Sequence, residues 1–276
     1  MYSKAFNDEC VHGMMSLPDE CIDLVVTSPP YDAIRDYKGF TFDYKETFVQ
    51  LYRIVKQGGV VVWIVSDQTA GGSETGTSFK QALFAKECGF NLHDTMIWRK
   101  DSCAFPEANR YYQVFEYMFV FSKGTPKTVH LIKDKANKWE GARVHGTFRL
   151  PDGSTKNRGN TWSEVICQEY GVRYNVWDIP AEHNNTTGHP AVFPQKLVRD
   201  HIESWSNEGD VVLDPFLGSG TTRIVAYDMN RNFIGYEISK EYFDNEEKRF
   251  EEHTSQLSFF SETVSEELQG GNSNAQ

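Results

Sequence analysis

Two short stretches of this 276-residue chain place residue types in an order that could do chemistry. The first is Asp210–Thr222, DVVLDPFLGSGTT. An apolar run from Val211 to Leu213 ends in Asp214, continues through Phe216 into Gly218-Ser219-Gly220, and opens a helix at Thr221-Thr222. Glycines let a ligand approach the backbone closely, and a helix amino terminus offers unpaired N–H groups with partial positive charge. No lysine follows the glycines as in a P-loop, and an aspartate stands at the strand end, so bare phosphate is a poor match. A second apolar run, Phe233–Tyr236, ends in Glu237, 23 positions after Asp214. A carboxylate so placed can accept hydrogen bonds from ribose hydroxyls. A ligand with a ribose, an amino-acid portion and a sulfonium matches all of these features, and S-adenosyl-L-methionine is such a ligand. The plainer alternative is a βαβ turn that binds no nucleotide.

The second stretch is Thr27-Ser28-Pro29-Pro30-Tyr31. Its prolines fix φ and remove two N–H donors, leaving a rigid pair of acceptors beside an aromatic face. Such a slot fits a planar base carrying an NH₂ group, although SPPY alone also reads as an ordinary Pro-rich turn.

Elements must bring these stretches together. Cys21–Thr27 reads as a buried strand stopped by the prolines. Residues 44–57 carry Tyr44, Phe48, Leu51, Ile54 and Val55 at helical spacing, and Gly58-Gly59 is expected to close that helix. Val60–Val65 predicts a second buried strand, and the polar, Gly-rich 66–78 a mobile loop. A helix at 79–88 and strands at 92–98 and 114–122 follow. After an irregular stretch, helix 194–206, strand 210–213, helix 219–230, strand 232–237 and helix 240–253 resume the alternation. Strands alternating with helices predict a doubly wound, mostly parallel α/β sheet covered on both faces. Residues 261–276 have little to bury and are expected to form a disordered tail.

Composition narrows the function classes. Hydrophobic residues make up 39% of the chain, enough for a substantial core, and no run approaches the roughly 18 apolar residues of a membrane span. The amino-terminal MYSKAFNDEC lacks the pattern of a secretory leader, and the five cysteines form no CxxC pair. Reduced thiols, a cytoplasmic location and no metal site are therefore expected, His183 and His189 lacking companions at ligand spacing. Net charge is −11, yet Arg99–Arg158 holds 12 Lys+Arg against 6 Asp+Glu, whereas Asp228–Glu267 holds 4 against 11. This split fits a protein that meets phosphate through one face only, or simply two solvated surfaces of opposite sign. The acidic helix 240–253 reads most simply as a solvated face.

TSPPY followed by DPFLGSGTT resembles the amino-methyltransferases of DNA, in the motif order usually called beta. Asn7-Asp8, the stretch MMSLPDECIDLVVTSPPY, Phe115–Lys123 and His189–Leu197 are similar to further parts of that family, so the resemblance covers most of residues 5–250. It implies a Rossmann-like class I methyltransferase fold, permuted, with a catalytic domain formed by 1–123 and 189–260 and a loop-rich recognition insert at 124–188. It implies methyl transfer from S-adenosyl-L-methionine to an exocyclic amino group of a flipped base in double-stranded DNA. Ser28, Pro29, Pro30 and Tyr31 would form the catalytic slot. Asp8 would lie near the adenine of the cofactor, Glu237 on its ribose, and Gly218, Ser219, Gly220, Thr221 and Thr222 around its methionine portion. Asp214, Phe216 and Lys196 are further candidates for the same pocket. Cytosine N4 is favoured over adenine N6 by the serine of the first motif. No Pro-Cys pair is present for attack at cytosine C5.

Recognition of DNA is assigned to the insert. Lys127, Lys133, Lys135, Lys138, Arg143 and Arg149 are candidates for phosphate contacts, and Asn157, Arg158 and Asn160 for base edges. A homodimer and a cognate restriction endonuclease are possible partners by family resemblance. An RNA amino-methyltransferase and a catalytically inactive DNA- or cofactor-binding protein are the competing readings.

Overall fold

A computed structural model describes residues 2–30, 43–103, 108–143, 146–157, 166–182 and 192–270. Within these, the order is β1 (Ser3–Phe6), α1 (Cys10–Met15), β2 (Ile22–Thr27), α2 (Tyr44–Ile54) and β3 (Val55–Val65). A small hairpin, β4 (Thr69–Ala70) and β5 (Ser73–Glu74), leads to α3 (Thr77–Glu87), β6 (Asn91–Arg99) and β7 (Phe115–Ser122). Short strands β8 (Lys135–Ala136), β9 (Thr147–Arg149), β10 (Thr155–Asn157) and β11 (Tyr170–Gly171) precede β12 (Val176–Asp178). The chain closes with α4 (Gln195–Trp205), β13 (Val211–Asp214), α5 (Thr221–Asp228), β14 (Asn232–Tyr236) and α6 (Lys240–Gly270).

Eight strands form one sheet in the order β1-β14-β13-β2-β3-β7-β6-β12. Pairings are parallel except on either side of β7. The apolar runs are continuous because both faces are covered, and successive residues feed opposite cores. Ile22 and Val25 of β2, with Val61, Trp63 and Val65 of β3, pack beside Met14 of α1 and Phe48 and Leu51 of α2. Leu24 and Val26, with Val60, Val62 and Ile64, pack with Leu197, Val198 and Ile202 of α4 and Val225 of α5. The doubly wound, mostly parallel architecture expected from the strand–helix alternation is therefore present.

Local boundaries differ in four places. The helix expected over 44–57 stops at Ile54, where Val55 turns extended (ψ 132°) and begins β3. Gly58-Gly59 belongs to that strand, not to a helix stop. Register slips there between Ile22 and Leu24, Gly58 takes φ +82°, and a side chain at Gly59 would sit 2.9 Å from the Asp23 carbonyl. The stretch 66–78 contains β4–β5, and Asp67 pins the start of α3 by accepting from the Ser78 N–H (2.9 Å) and hydroxyl (2.5 Å). Finally, α6 runs on to Gly270, through part of the segment expected to be disordered. Good helix formers such as Glu and Leu recur there, so backbone propensity sustains the helix.

Within 124–188 the structure divides differently from the expected insert. His130–Tyr174 forms a compact unit of its own, whereas 124–129 and Asn175 onward belong to the large unit. Inside the small unit β9 pairs with β10 and β8 with β11, Arg143 bridges to Ile166, and Arg173 bonds Asp134 through two nitrogens.

Candidate functional site

Four parallel strands end along one edge of the sheet, and each delivers candidate residues there. In spatial order they are β1 with Asn7-Asp8, β14 with Glu237, β13 with Asp214–Gly220, and β2 with Ser28–Pro30. From β2 the chain crosses through α2 to β3 on one side. From β13 it crosses through α5 to β14 on the other. The strand ends between them are the topological switch point, where open α/β sheets bind ligands. Residues 30 and 218 are distant in sequence, yet Val212 pairs with Leu24 and Leu213 with Val25, so the two turns leave adjacent strands.

The tie between them is Asp214, which is 2% exposed. Thr27 Oγ1 donates to its Oδ1 at 2.6 Å, Thr222 Oγ1 to its Oδ2 at 2.7 Å, and the Phe216 N–H to Oδ1 at 3.1 Å. Burial pushes this carboxyl up to about 6, against the pull of those hydrogen bonds. Asp214, a candidate for the lining of the cofactor pocket, has both oxygens engaged inside the protein and ties the end of β2 to the glycine turn. The Thr222 hydroxyl is committed to the same tie. Phe216 is half-buried and meets the Trp63 ring edge-on at 6.0 Å, joining the β13 turn to β3.

Glu237 supports the glycine turn from the other side. Its Oε2 accepts the Gly218 N–H at 2.9 Å and its Oε1 the Ser239 N–H at 2.8 Å, while burial pushes its carboxyl up. The Asn7 amide donates to the Glu237 carbonyl at 2.8 Å, and the Asp8 N–H to the same carbonyl at 3.1 Å, so Asp8 and Glu237 emerge side by side. The Asp8 carboxylate meets His12 Nδ1 at 2.8 Å. Lys196 lies in the first turn of α4, mostly exposed, with its Nζ 2.9 Å from Asp200. Ser28 and Pro30 are half-buried and Pro29 is buried; Tyr31 lies outside the described residues.

The turn itself fits an amino-acid nucleoside. Gly218 and Gly220 take φ +53° and +77°, which side chains disfavour, and no side chain caps the start of α5. A Cβ on Gly220 would run into the Glu246 side chain. Thus no side chain caps this end, which suits a carboxylate, and Glu237 and Asp8 stand beside it with carboxylates that already accept from Gly218, Ser239 and His12.

Residues of α6 join the site without a signal in the sequence. Glu246, expected on a solvated face, is 1% exposed and bonds Arg223 of α5 at 2.9 Å. Arg249 Nη1 donates to the Ser219 carbonyl at 2.6 Å and reaches the Thr221 hydroxyl at 3.2 Å. The helical spacing Glu246–Arg249 is readable, but nothing local tells which face of a charged helix turns inward.

The candidate DNA contacts divide. Lys133, Lys138, Arg143 and Arg149 are exposed on the His130–Tyr174 unit. Lys135 is half-buried, bonds Asn137 at 3.2 Å and sits over the Tyr174 ring, so it serves that unit's own packing. Asn157 lies opposite Thr147 on β10; Arg158 and Asn160 are outside the described residues. Lys127 lies outside that unit. Its N–H donates to the Gly58 carbonyl, at the amino end of the β2–β3 pairing, roughly 15–20 Å of strand away from the edge that carries Ser28.

A doubly wound sheet with a glycine turn, a strand-end acid and an SPP turn around one switch point defines a class I methyltransferase fold. The chain belongs to the DNA methylase family, whose model matches residues 22–248. It is 54% identical over 246 residues to the orphan methyltransferase M.BamHII of Bacillus amyloliquefaciens, a match covering 86% of this chain and 92% of that one. Its structure is similar to that of a Thermus thermophilus DNA modification methylase, TTHA0409, solved with S-adenosyl-L-methionine (TM-score 0.62, 25% identity, 92% and 94% coverage). The fold is also that of the cytosine-N4-specific PvuII DNA methyltransferase (TM-score 0.65, 22% identity, 92% and 91% coverage).

Proposed function

We propose that this DNA methylase transfers the methyl group of S-adenosyl-L-methionine to the N4 amino group of a cytosine flipped out of duplex DNA. The observation that carries the reading is the buried Thr27–Asp214–Thr222 lock, which fixes the SPP turn beside the glycine turn. When bound, the cofactor supplies a methyl group on a sulfonium. The protein's task lies with the amine, whose lone pair is delocalised into the ring. The Ser28 hydroxyl oxygen and the Pro29 carbonyl accept its two N–H groups, favouring a pyramidal nitrogen with its lone pair turned away from both acceptors. Rigid prolines keep those acceptors in place, so little reorganisation is needed as charge develops. Tyr31 stacks on the base, which must leave the helix to reach the turn. Glu237 would hold the ribose hydroxyls with Asp8 near the adenine, and the Gly218–Thr222 backbone would hold the amino-acid end. Ser28 acts as an acceptor and not as a base. The name of the Bacillus amyloliquefaciens relative favours a solitary enzyme over half of a restriction–modification pair.

Nucleoside mass spectrometry on duplex DNA and, in parallel, on RNA, each incubated with the protein and labelled S-adenosyl-L-methionine, tests this directly. Labelled N4-methylcytosine is expected; labelled N6-methyladenine would overturn the choice of base, and label entering only RNA the choice of polymer. Ser28→Ala should lower kcat by about a hundredfold, as loss of one preorganised polar contact does, with cofactor affinity unchanged.

A further inference from the structure

A buried chain of charges runs from β1 to the glycine turn. Arg223 of α5 is 5% exposed and bonds Ser3 Oγ at 3.2 Å, Glu246 at 2.9 Å and Glu247 at 2.7 Å, with its guanidinium 3.9 Å from the Phe250 ring centre. Glu246 in turn presses on Gly220, leaving no room for a side chain there. One helical turn on, Arg249 grips the turn itself through the Ser219 carbonyl and the Thr221 hydroxyl. These two cations are not equivalent. Arg223 is matched by two carboxylates, whereas the described hydrogen bonds of Arg249 go to neutral oxygens. The Glu246 and Glu182 carboxylates stand near enough to act on its charge, and the turn it holds is flanked by Asp214 and Glu237 as well. A half-buried guanidinium holding this turn brings hydrogen bonds and positive charge to the start of α5, where an anionic ligand would otherwise meet acids. Arg249 also lies just past residue 248, where the family match ends.

We propose that Arg249 is a positioning residue for the amino-acid end of the cofactor, holding the Ser219–Thr221 turn so that the first N–H groups of α5 face a carboxylate. The inference rests on S-adenosyl-L-methionine being the cofactor. Arg249 need not touch the ligand: it fixes the carbonyl of Ser219 and thereby the orientation of the peptide groups that follow.

The test is calorimetric titration of wild type, Arg249→Ala and Arg249→Lys with two ligands that share the nucleoside. S-adenosyl-L-methionine carries the amino-acid end and 5′-methylthioadenosine lacks it. Arg249→Ala should weaken S-adenosyl-L-methionine by about tenfold or more and 5′-methylthioadenosine by less than about twofold, with Arg249→Lys recovering part of the loss. KM for the cofactor should rise in parallel while kcat stays nearly constant. Equal weakening of both ligands, or of neither, would overturn the proposal. Arg249→Gln, which keeps the volume, carries the same expectations if the alanine variant does not fold. Wild type failing to bind S-adenosyl-L-methionine would instead bring down the cofactor reading itself, so the two failures are distinguishable.

Discussion

Asp214 and Glu246 are acids kept where water cannot reach them, and that placement gives the site a pH signature. Burial pushes the Asp214 carboxyl up to about 6 and that of Glu246 up to about 7. Both lie above the values an unfolded chain would show, so folding takes up protons. The stability each acid confers is complete below about pH 4 and is lost as the pH climbs through about 6 for Asp214 and about 7 for Glu246. Asp214→Asn removes one of these titrations. Between about pH 4.5 and 7.5 wild type should therefore lose stability relative to this variant, by an amount on the order of 2 kcal/mol, in urea denaturation at the two pH values. A wild-type-to-variant difference that stays constant with pH would show that Asp214 does not titrate as its burial requires. At this scale the sequence is informative about Glu237, because a strand-end acid after a glycine turn is a local pattern. It is uninformative about what Asp214 does, because Thr27, the residue that commits one of its oxygens, lies 187 positions away.

Strands β2 and β13 are the elements on which the site depends, since one carries the SPP turn and the other the glycine turn. Leu24 of β2 is fully buried in the core shared with α4 and α5 and lies in register with Val212. Leu24→Ala should cost about 3 kcal/mol, seen as a lower urea midpoint with an unchanged m-value. A loss below about 1 kcal/mol would mean that the two strands are not held by this core. The runs CIDLVVT and VVVWIV announce their strands because they are apolar on both faces, the mark of a covered parallel sheet. Where reading the elements fails, tertiary contacts outweigh local signals. Gly58-Gly59 looks like a helix stop and is a strand irregularity, chosen because the Asp23 carbonyl leaves no room for a Cβ at Gly59. The Gly-rich 66–78 looks slack, yet Asp67 fastens it to Ser78 across 11 positions. The acidic α6 looks wholly solvated because its inward turn, Glu246 to Arg249, is held by polar contacts, with Phe250 beside it against the Tyr227 ring.

For the whole molecule, a net charge of −11 means that most of the surface repels a polyanion. The His130–Tyr174 unit runs the other way, with eight Lys+Arg against five Asp+Glu. Its candidate phosphate contacts Lys133, Lys138, Arg143 and Arg149 are exposed and, among the described residues, make no side-chain ion pair. Arg173 is held by Asp134 and Lys135 by Asn137, and both would have to leave those partners. Counterion release turns this into a measurable slope. Replacing Lys133, Lys138, Arg143 and Arg149 with Gln should flatten the plot of log affinity for duplex DNA against log salt by about 0.9 for each residue that touches a phosphate. Cofactor affinity should be untouched, because the pocket proposed for the methyl donor uses strand ends of the large unit. Lys127→Gln is the matched control: its backbone is tied to Gly58 at the far edge of the sheet, so the slope should not move. Were the slope to fall with Lys127→Gln and stay fixed in the quadruple variant, DNA would lie on the opposite edge of the sheet from Ser28, and no flipped base could reach the SPP turn.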